Sequence, residues 1–164
     1  METRNELVAD LTGIGIELGV AGGSFSSKIL EVSKLSRLYS VDRWAGDRGH
    51  GIAECRYASE LLARHGERSI VLRATFDEAL DAFGNEHFDF IYIDGYAHTG
   101  QDGGSTLDQW WSKLKQGGLF AGHDYDAKMW PETYKEVNKF VEKKNLNLNI
   151  TEEATEPSWY LTKS

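Results

Sequence analysis

The chain has 164 residues, 40% of them hydrophobic and 27% charged, a composition typical of a globular protein and not of a disordered one. Its net charge is −8 at pH 7 and its basic residues do not cluster, which argues against nucleic acid and favours a small-molecule substrate. No apolar run approaches the roughly 20 residues of a membrane span. The sequence METRNELVADLT contains no secretory signal, and Cys55 is the only cysteine, so we expect no membrane association and a reducing, cytoplasmic location.

Predicted strands and helices alternate along the chain. In chain order, the pattern predicts a strand at 13–18, a helix at 24–35, a strand at 37–41, a helix at 52–64, a strand at 69–72, a helix at 76–83, a strand at 88–93, a helix at 105–114, a strand at 119–121, a helix at 131–144, and strands at 146–150 and 159–161. This alternation predicts an α/β fold with a doubly wound, mostly parallel sheet and an antiparallel C-terminal edge hairpin. With two prolines and no linker, we expect one domain over residues 1–164 without a separate N-terminal cap.

Ligands of such sheets bind at the carboxyl ends of the strands, and chemistry-bearing residues follow the strands here. The first strand ends in Glu17 and a turn rich in small residues, which lets the backbone approach a ligand closely; the turn contains Gly19, Ala21, Gly23 and Ser24. Ser24 is expected to cap the next helix, whose positive N-terminus suits an anionic group.

Three further strand ends extend this pattern. Asp42, followed by Arg43, ends the second strand, where a carboxylate can accept hydrogen bonds from the two hydroxyls of a ribose. As a loop residue, Asp42 is expected to contribute to binding and hardly to folding. Thr75 and Phe76 follow the third strand, where an adenine ring would lie, although Phe76 is equally explained as a core residue. Asp94 follows the fourth strand.

Taken together, these residues resemble the class I S-adenosylmethionine-dependent methyltransferases, which have a Rossmann-like fold. The resemblance covers about residues 14–126. Within the family, the chain is most similar to a branch with macrocin-type sugar O-methyltransferases and cephalosporin-hydroxylase-like proteins. The motifs that carry it are Glu17-x-Gly19-x-Ala21-x-Gly23, Asp42, Thr75, Tyr92-Ile93-Asp94-Gly95, Leu114-Lys115-x-Gly117-Gly118 and Gly122-His123-Asp124-Tyr125. The resemblance implies S-adenosylmethionine as cofactor and a methyltransferase activity on a small hydroxylated molecule.

A nicotinamide cofactor is the competing interpretation, and Glu17 argues against it. A dinucleotide-binding turn needs Gly-x-Gly-x-x-Gly between strand and helix, and Gly13 and Gly15 come before the strand has ended. Glu17 would repel a pyrophosphate, whereas it would attract the sulfonium and amino group of S-adenosylmethionine. Three functions remain open in this order: a small-molecule O-methyltransferase, a cofactor-binding domain without catalysis, and a nicotinamide-dependent oxidoreductase.

The resemblance also implies a site for the methyl acceptor. Asp94, His123 and Asp124 are expected to converge near the transferred methyl group, where two carboxylates and an imidazole could hold Mg²⁺ or Mn²⁺. His98 is the candidate catalytic base, together with Asp94, although it is displaced by one residue from the position in the family; His50 and His123 are alternatives. Many relatives cover the acceptor site with an N-terminal segment longer than the one that precedes Glu17 here. We therefore expect an acceptor site that is exposed to solvent, absent, or completed by a partner subunit, and in the last case the protein would be a homo-oligomer.

Overall fold

The computed structural model describes residues 3–95 and 103–164, and within them the chain forms one sheet of seven strands. The strands are β1 (Thr12–Leu18), β2 (Lys34–Asp42), β3 (Ser69–Arg73), β4 (Phe88–Ile93), β5 (Leu114–Gly122), β6 (Asn149–Ile150) and β7 (Trp159–Thr162). The helices are α1 (Arg4–Leu7), α2 (Ser24–Val32), α3 (Ile52–Ala63), α4 (Phe76–Ala82), α5 (Ser105–Trp111) and α6 (Pro131–Lys144). In this part of the chain, no helix has the length and apolar character needed to cross a membrane.

The strand order β3-β2-β1-β4-β5-β7-β6 confirms the predicted fold. β1, β2, β3, β4 and β5 pair in parallel, whereas β7 runs antiparallel to β5 and β6 antiparallel to β7. The chain builds outwards from β1 to β3 and then crosses to β4 on the other side of β1. The topological switch therefore lies between β1 and β4, and a crevice opens there at the carboxyl ends of the strands.

Both faces of the sheet are buried, as expected for parallel strands. Successive residues of β4 point to opposite faces, so that Ile91 and Ile93 pack in one core cluster and Phe90 and Tyr92 in the other. Helices α4, α5 and α6 contribute to the first cluster, and helices α1, α2 and α3 to the second. This three-layer packing fixes the strand ends from which the site is built.

The predicted end of the second helix, α2, is wrong. The helix predicted at 24–35 ends at Val32, because Ser33 is extended and the Lys34 N–H donates to the Leu11 carbonyl, 2.8 Å away, at the start of β2. Leu35 is buried, but as a strand residue. An apolar residue at helical spacing does not distinguish the last helical turn from the first buried position of the next strand.

The glycine pair at 117–118 was predicted to separate a helix from the next strand, and this is wrong because the pair lies inside β5. Helix α5 ends at Trp111, and β5 begins at Leu114 rather than at residue 119. The register between β4 and β5 shifts across the glycines, which is the signature of a bulge. Lys163 pairs with both sides of this bulge, since its carbonyl accepts from the Gly117 N–H and its own N–H donates to the Gly118 carbonyl.

Candidate cofactor and active site

A cavity of about 490 Å³ opens at the carboxyl ends of β1, β2 and β4, in the switch crevice. It brings together most of the residues that the sequence predicts for the site. The predicted residues in its lining are Glu17, Gly19, Ala21, Ser24, Asp42, Arg43, Thr75, Phe76, Asp94 and Asp124. Gly23 and His123 lie next to lining residues in the chain and outside the lining itself.

Glu17 provides a buried carboxyl group at the end of β1. Its side chain is 1% exposed and accepts a hydrogen bond from the Ser26 hydroxyl, which lies 2.7 Å from the Ser40 hydroxyl. Burial raises the pKa of Glu17 to about 8; the hydrogen bond from Ser26 opposes this rise, and the negative charge of Asp94 adds to it. At neutral pH the carboxyl group is therefore mostly protonated, and a cationic ligand would favour its ionised form.

The turn after β1 approaches the neighbouring strand closely. Gly19 has a φ of +93°, and a Cβ there would lie 2.2 Å from the backbone carbonyl oxygen of Asp94. Only glycine accepts both constraints, so the turn and the end of β4 form one unit. Contrary to the prediction, Gly23 is the N-cap of α2 and Ser24 is its first residue, with no side-chain hydrogen bond capping the helix.

Asp42 is held by the backbone of the same turn. Its Oδ2 accepts from the Val20 and Ala21 N–H groups, both at 3.0 Å, and its Oδ1 accepts from the Trp44 N–H at 2.9 Å. The expectation that Asp42 hardly contributes to folding is therefore wrong, because three backbone donors depend on it. A carboxylate has about four acceptor positions, so about one is left for a ligand in the cavity.

The residues after β3 combine structural and lining positions. Thr75 forms a capping box with Glu78: its hydroxyl accepts from the Glu78 N–H, and the Glu78 carboxylate accepts from the Thr75 N–H at 2.8 Å. Phe76 is 7% exposed and packs in the core, yet it also lines the cavity. A threonine three residues before a glutamate is the sequence signal of this cap.

Asp94, His123 and Asp124 come together as predicted. One potential ligand atom from each lies within 4.8 Å of the others, a spacing at which three groups can surround one cation. The His123 Nδ1 lies 2.8 Å from Asp124 Oδ1 and 3.8 Å from Asp94 Oδ1. Two carboxylates and an imidazole are a donor set that fits Mn²⁺ or Mg²⁺.

Electrostatic interactions link these three groups. Burial raises the pKa of Asp94 to about 6, while His123 opposes the rise and Asp124 adds to it. Burial lowers the pKa of His123, but the hydrogen bond to Asp124 and the charge of Asp94 outweigh this effect, so the pKa is raised overall. Asp124 has a φ of +61°, a conformation that costs energy outside glycine and is frequent at functional sites.

The structure describes two of the three candidate bases, His50 and His123. His98 lies outside the residues that the structure describes. His50 lines the cavity, and its buried Nδ1 has no hydrogen-bond partner among the described residues. His123 is held by Asp124, which accepts its Nδ1–H when ionised and leaves Nε2 as the proton acceptor.

Another wall of the cavity is formed by Arg48, Trp130 and Glu156. Of these three, the sequence indicates only Trp130, on the loop after Asp124, as a candidate acceptor wall or anchoring aromatic. The Arg48 guanidinium lies 5.3 Å from the centre of the Trp130 ring, and the Trp130 Nε1–H donates to Glu156 Oε1 at 2.8 Å. Arg48 and Glu156 have φ values of +53° and +50°. These residues are far apart in the chain, so no local pattern predicts their contact.

Sequence comparison places this site in a known class. A family model described as a methyltransferase domain matches residues 16–125, which include the end of β1, the strands β2 to β5 and the cluster at Asp94, His123 and Asp124. The chain therefore belongs to the methyltransferase domain family. A curated relative, an uncharacterized protein of Sinorhizobium fredii, is 25% identical over 122 residues; the match covers 70% of this chain and 13% of the length of that relative.

Solved structures show the same fold. A precorrin-6y C5,15-methyltransferase from Geobacter metallireducens superposes with a TM-score of 0.71 at 15% identity, over 98% of this chain and 86% of its own. A Streptococcus mutans protein in complex with SAH (S-adenosylhomocysteine) gives 0.71 at 11% identity, over 98% and 95%. An rRNA methylase from Streptococcus thermophilus gives 0.68 at 15% identity, over 97% and 91%. The chain is thus a methyltransferase domain by its family match and shares its fold with these three proteins.

Proposed function

We propose that this domain transfers a methyl group from S-adenosylmethionine to a hydroxyl group of a small molecule. The observation that carries the proposal is the single cavity wall on which Glu17, Asp42 and Asp94 meet at three neighbouring strand ends. The donor carries positive charge at its sulfonium and amino group, and nearby carboxylates stabilise such charge. The resemblance to the macrocin-type sugar O-methyltransferases favours a polyhydroxylated acceptor.

In this proposal each part of the donor has a place. Glu17 faces the cationic methionine end, Asp42 accepts a ribose hydroxyl, and Phe76 lies against the adenine. Arg43 flanks the ribose from the exposed side of Asp42. Gly19 and Ala21 allow the backbone to lie against the donor.

The acceptor would bind between the metal cluster and the wall of Arg48, Trp130 and Glu156. An indole ring beside a carboxylate and a guanidinium offers a flat apolar face together with hydrogen-bond donors and acceptors, a combination suited to a hydroxylated ring. The net charge of the chain is −8, which favours such a molecule over a nucleic acid.

A divalent cation held by Asp94, His123 and Asp124 is part of the proposal. Such an ion would lower the pKa of a bound hydroxyl and fix it in position. The proposed base is His98, which takes the hydroxyl proton as the methyl group leaves sulfur. If no cation binds, His123 is a second candidate, because its hydrogen bond to Asp124 orients Nε2 and favours the protonated imidazole.

The proposal also covers the whole chain. Residues 1–164 would act as one domain in a reducing, cytoplasmic environment, consistent with a single cysteine.

Turnover with labelled S-adenosylmethionine and a panel of sugars and phenols tests the activity, with SAH formation as readout. EDTA should abolish turnover, and Mg²⁺ or Mn²⁺ should restore it. Mn²⁺ binding, measured by calorimetry, should be lost in Asp124→Asn and kept in the control Asp81→Asn, an exposed residue of α4. Full activity in EDTA would remove the metal from the mechanism, and donor binding without turnover on any acceptor would favour a cofactor-binding domain without catalysis.

A further inference from the structure

The N-terminal segment brings an arginine into the cavity that none of the sequence motifs includes. Helix α1 is closed by a capping box between Thr3 and Glu6, and Leu7 and Val8 are buried in the core cluster that includes α2 and α3. The Arg4 N–H donates to the Glu153 carboxylate near β7. Arg4 is therefore held on the body of the fold, and its side chain lines the cavity.

The guanidinium of Arg4 is fixed by aromatic rings. It lies 4.3 Å from the centre of the Phe25 ring, which is 4.6 Å from the Tyr92 ring. The Tyr92 hydroxyl is in turn 2.7 Å from the hydroxyl of Ser158. A guanidinium stacked on an aromatic face donates in its own plane. One donor of Arg4 is used by a hydrogen bond to Tyr92, and the guanidinium has five N–H groups, so others can donate to a second ligand.

Arg4 lines the same cavity as the buried carboxyl group of Glu17 and the partly buried carboxyl group of Asp94. Burial lowers the pKa of Arg4, but Tyr92, Asp94 and Glu17 outweigh this effect, so the pKa is raised and the side chain stays cationic. In a cavity end built only to bind the sulfonium and the amino group, a cation would be unfavourable. The methionine moiety of the donor, however, also carries a carboxylate beside its amino group.

We propose that Arg4 binds this carboxylate and makes the site selective for a donor that carries it. The inference rests on the proposed S-adenosylmethionine site. Glu17 and Asp94 would then face the two positive groups of the methionine moiety, and Arg4 its negative group, so that each charge of the donor meets an opposite charge. The guanidinium is suited to this role because its N–H groups can form two parallel hydrogen bonds to one carboxylate.

A comparison of two ligands in several variants tests the proposal. The ligands are SAH and its decarboxylated analogue, and the affinities are measured by calorimetry. Wild-type protein should prefer SAH by roughly 10- to 100-fold, the usual effect of a charge-assisted hydrogen-bonded pair. Arg4→Gln should bind both ligands equally within about twofold, Arg4→Lys should keep part of the preference, and the exposed control Arg37→Gln, at the opposite end of the sheet, should behave as wild type.

The possible results separate the proposal from its alternatives. If Arg4→Gln weakens both ligands by the same factor, Arg4 only balances Glu17 and Asp94, and the proposal is wrong. If Arg48→Gln removes the preference instead, the carboxylate lies at the other wall. If wild-type protein binds neither ligand, the proposed S-adenosylmethionine site is wrong, and the proposed role of Arg4 is wrong with it. Thermal unfolding checks each variant, and should Arg4→Gln not fold, the reduced preference of Arg4→Lys decides.

Discussion

The buried carboxyl group of Glu17 should make the protein less stable as the pH rises, and Glu17→Gln should remove this dependence. The folded protein binds the proton with a pKa of about 8, against 4.5 for a free glutamate. Because the folded state holds this proton more tightly, its contribution to stability is complete below about pH 4.5 and is lost as the pH rises towards 8. The loss amounts to about 1 kcal/mol at pH 5 and about 4 kcal/mol at pH 7.5.

Glutamine has nearly the shape of the protonated side chain and can still accept from the Ser26 hydroxyl. The free energy of unfolding of Glu17→Gln relative to wild type should therefore increase by about 3 kcal/mol between pH 5 and pH 7.5. Urea unfolding at several pH values measures it, with the exposed Glu60→Gln as control. A difference that stays constant within about 0.5 kcal/mol over this range would refute a raised pKa at Glu17.

The same substitution should weaken the binding of S-adenosylmethionine. The cationic donor favours the ionised carboxyl group, so the affinity of the wild type should rise with pH until about pH 8, where Glu17 is ionised without ligand. At pH 8.5 we expect Glu17→Gln to bind roughly 10- to 100-fold more weakly, with a smaller loss at pH 6. A wild-type affinity independent of pH between 6 and 8 would contradict this role.

Three further changes test other parts of the site. Asp42→Ala should lower stability by about 2–3 kcal/mol, because three backbone N–H groups lose their acceptor, and should weaken SAH binding roughly 30- to 150-fold; normal melting and unchanged binding would contradict both roles. Gly19→Ala should lower the melting temperature and abolish SAH binding, because its Cβ would overlap the Asp94 carbonyl; a normal melting temperature would show that the turn tolerates the overlap. His98→Ala should slow turnover roughly 10²-fold, and an unimpaired rate would exclude His98 as the base.

The fold was predictable because its signals are local. The strand Phe88–Ile93 has the predicted bounds, since a run of aromatic and β-branched residues that ends in a polar residue is the pattern of a buried parallel strand. Helix α6 also has its predicted bounds, with Pro131 at its start. The errors at Val32 and Leu114 occur where the same apolar residue would suit a helix or a strand.

The cavity residues were predictable only where they follow a strand. Glu17 and Asp94 lie at adjacent strand ends, and parallel pairing alone brings them to one crevice. Arg4, Arg48 and Glu156 reach the cavity through packing between segments distant in the chain, which no pattern in a single sequence encodes. The backbone contacts of Asp42 were missed for a similar reason, because they depend on how two strand ends meet.

Calorimetric titration of the purified protein with SAH and, separately, with NAD tests the central claim most directly. The arrangement of Glu17, Asp42 and Asp94 at the switch crevice predicts saturable binding of SAH and no heat of binding for NAD. Tight binding of NAD without any response to SAH would contradict the account.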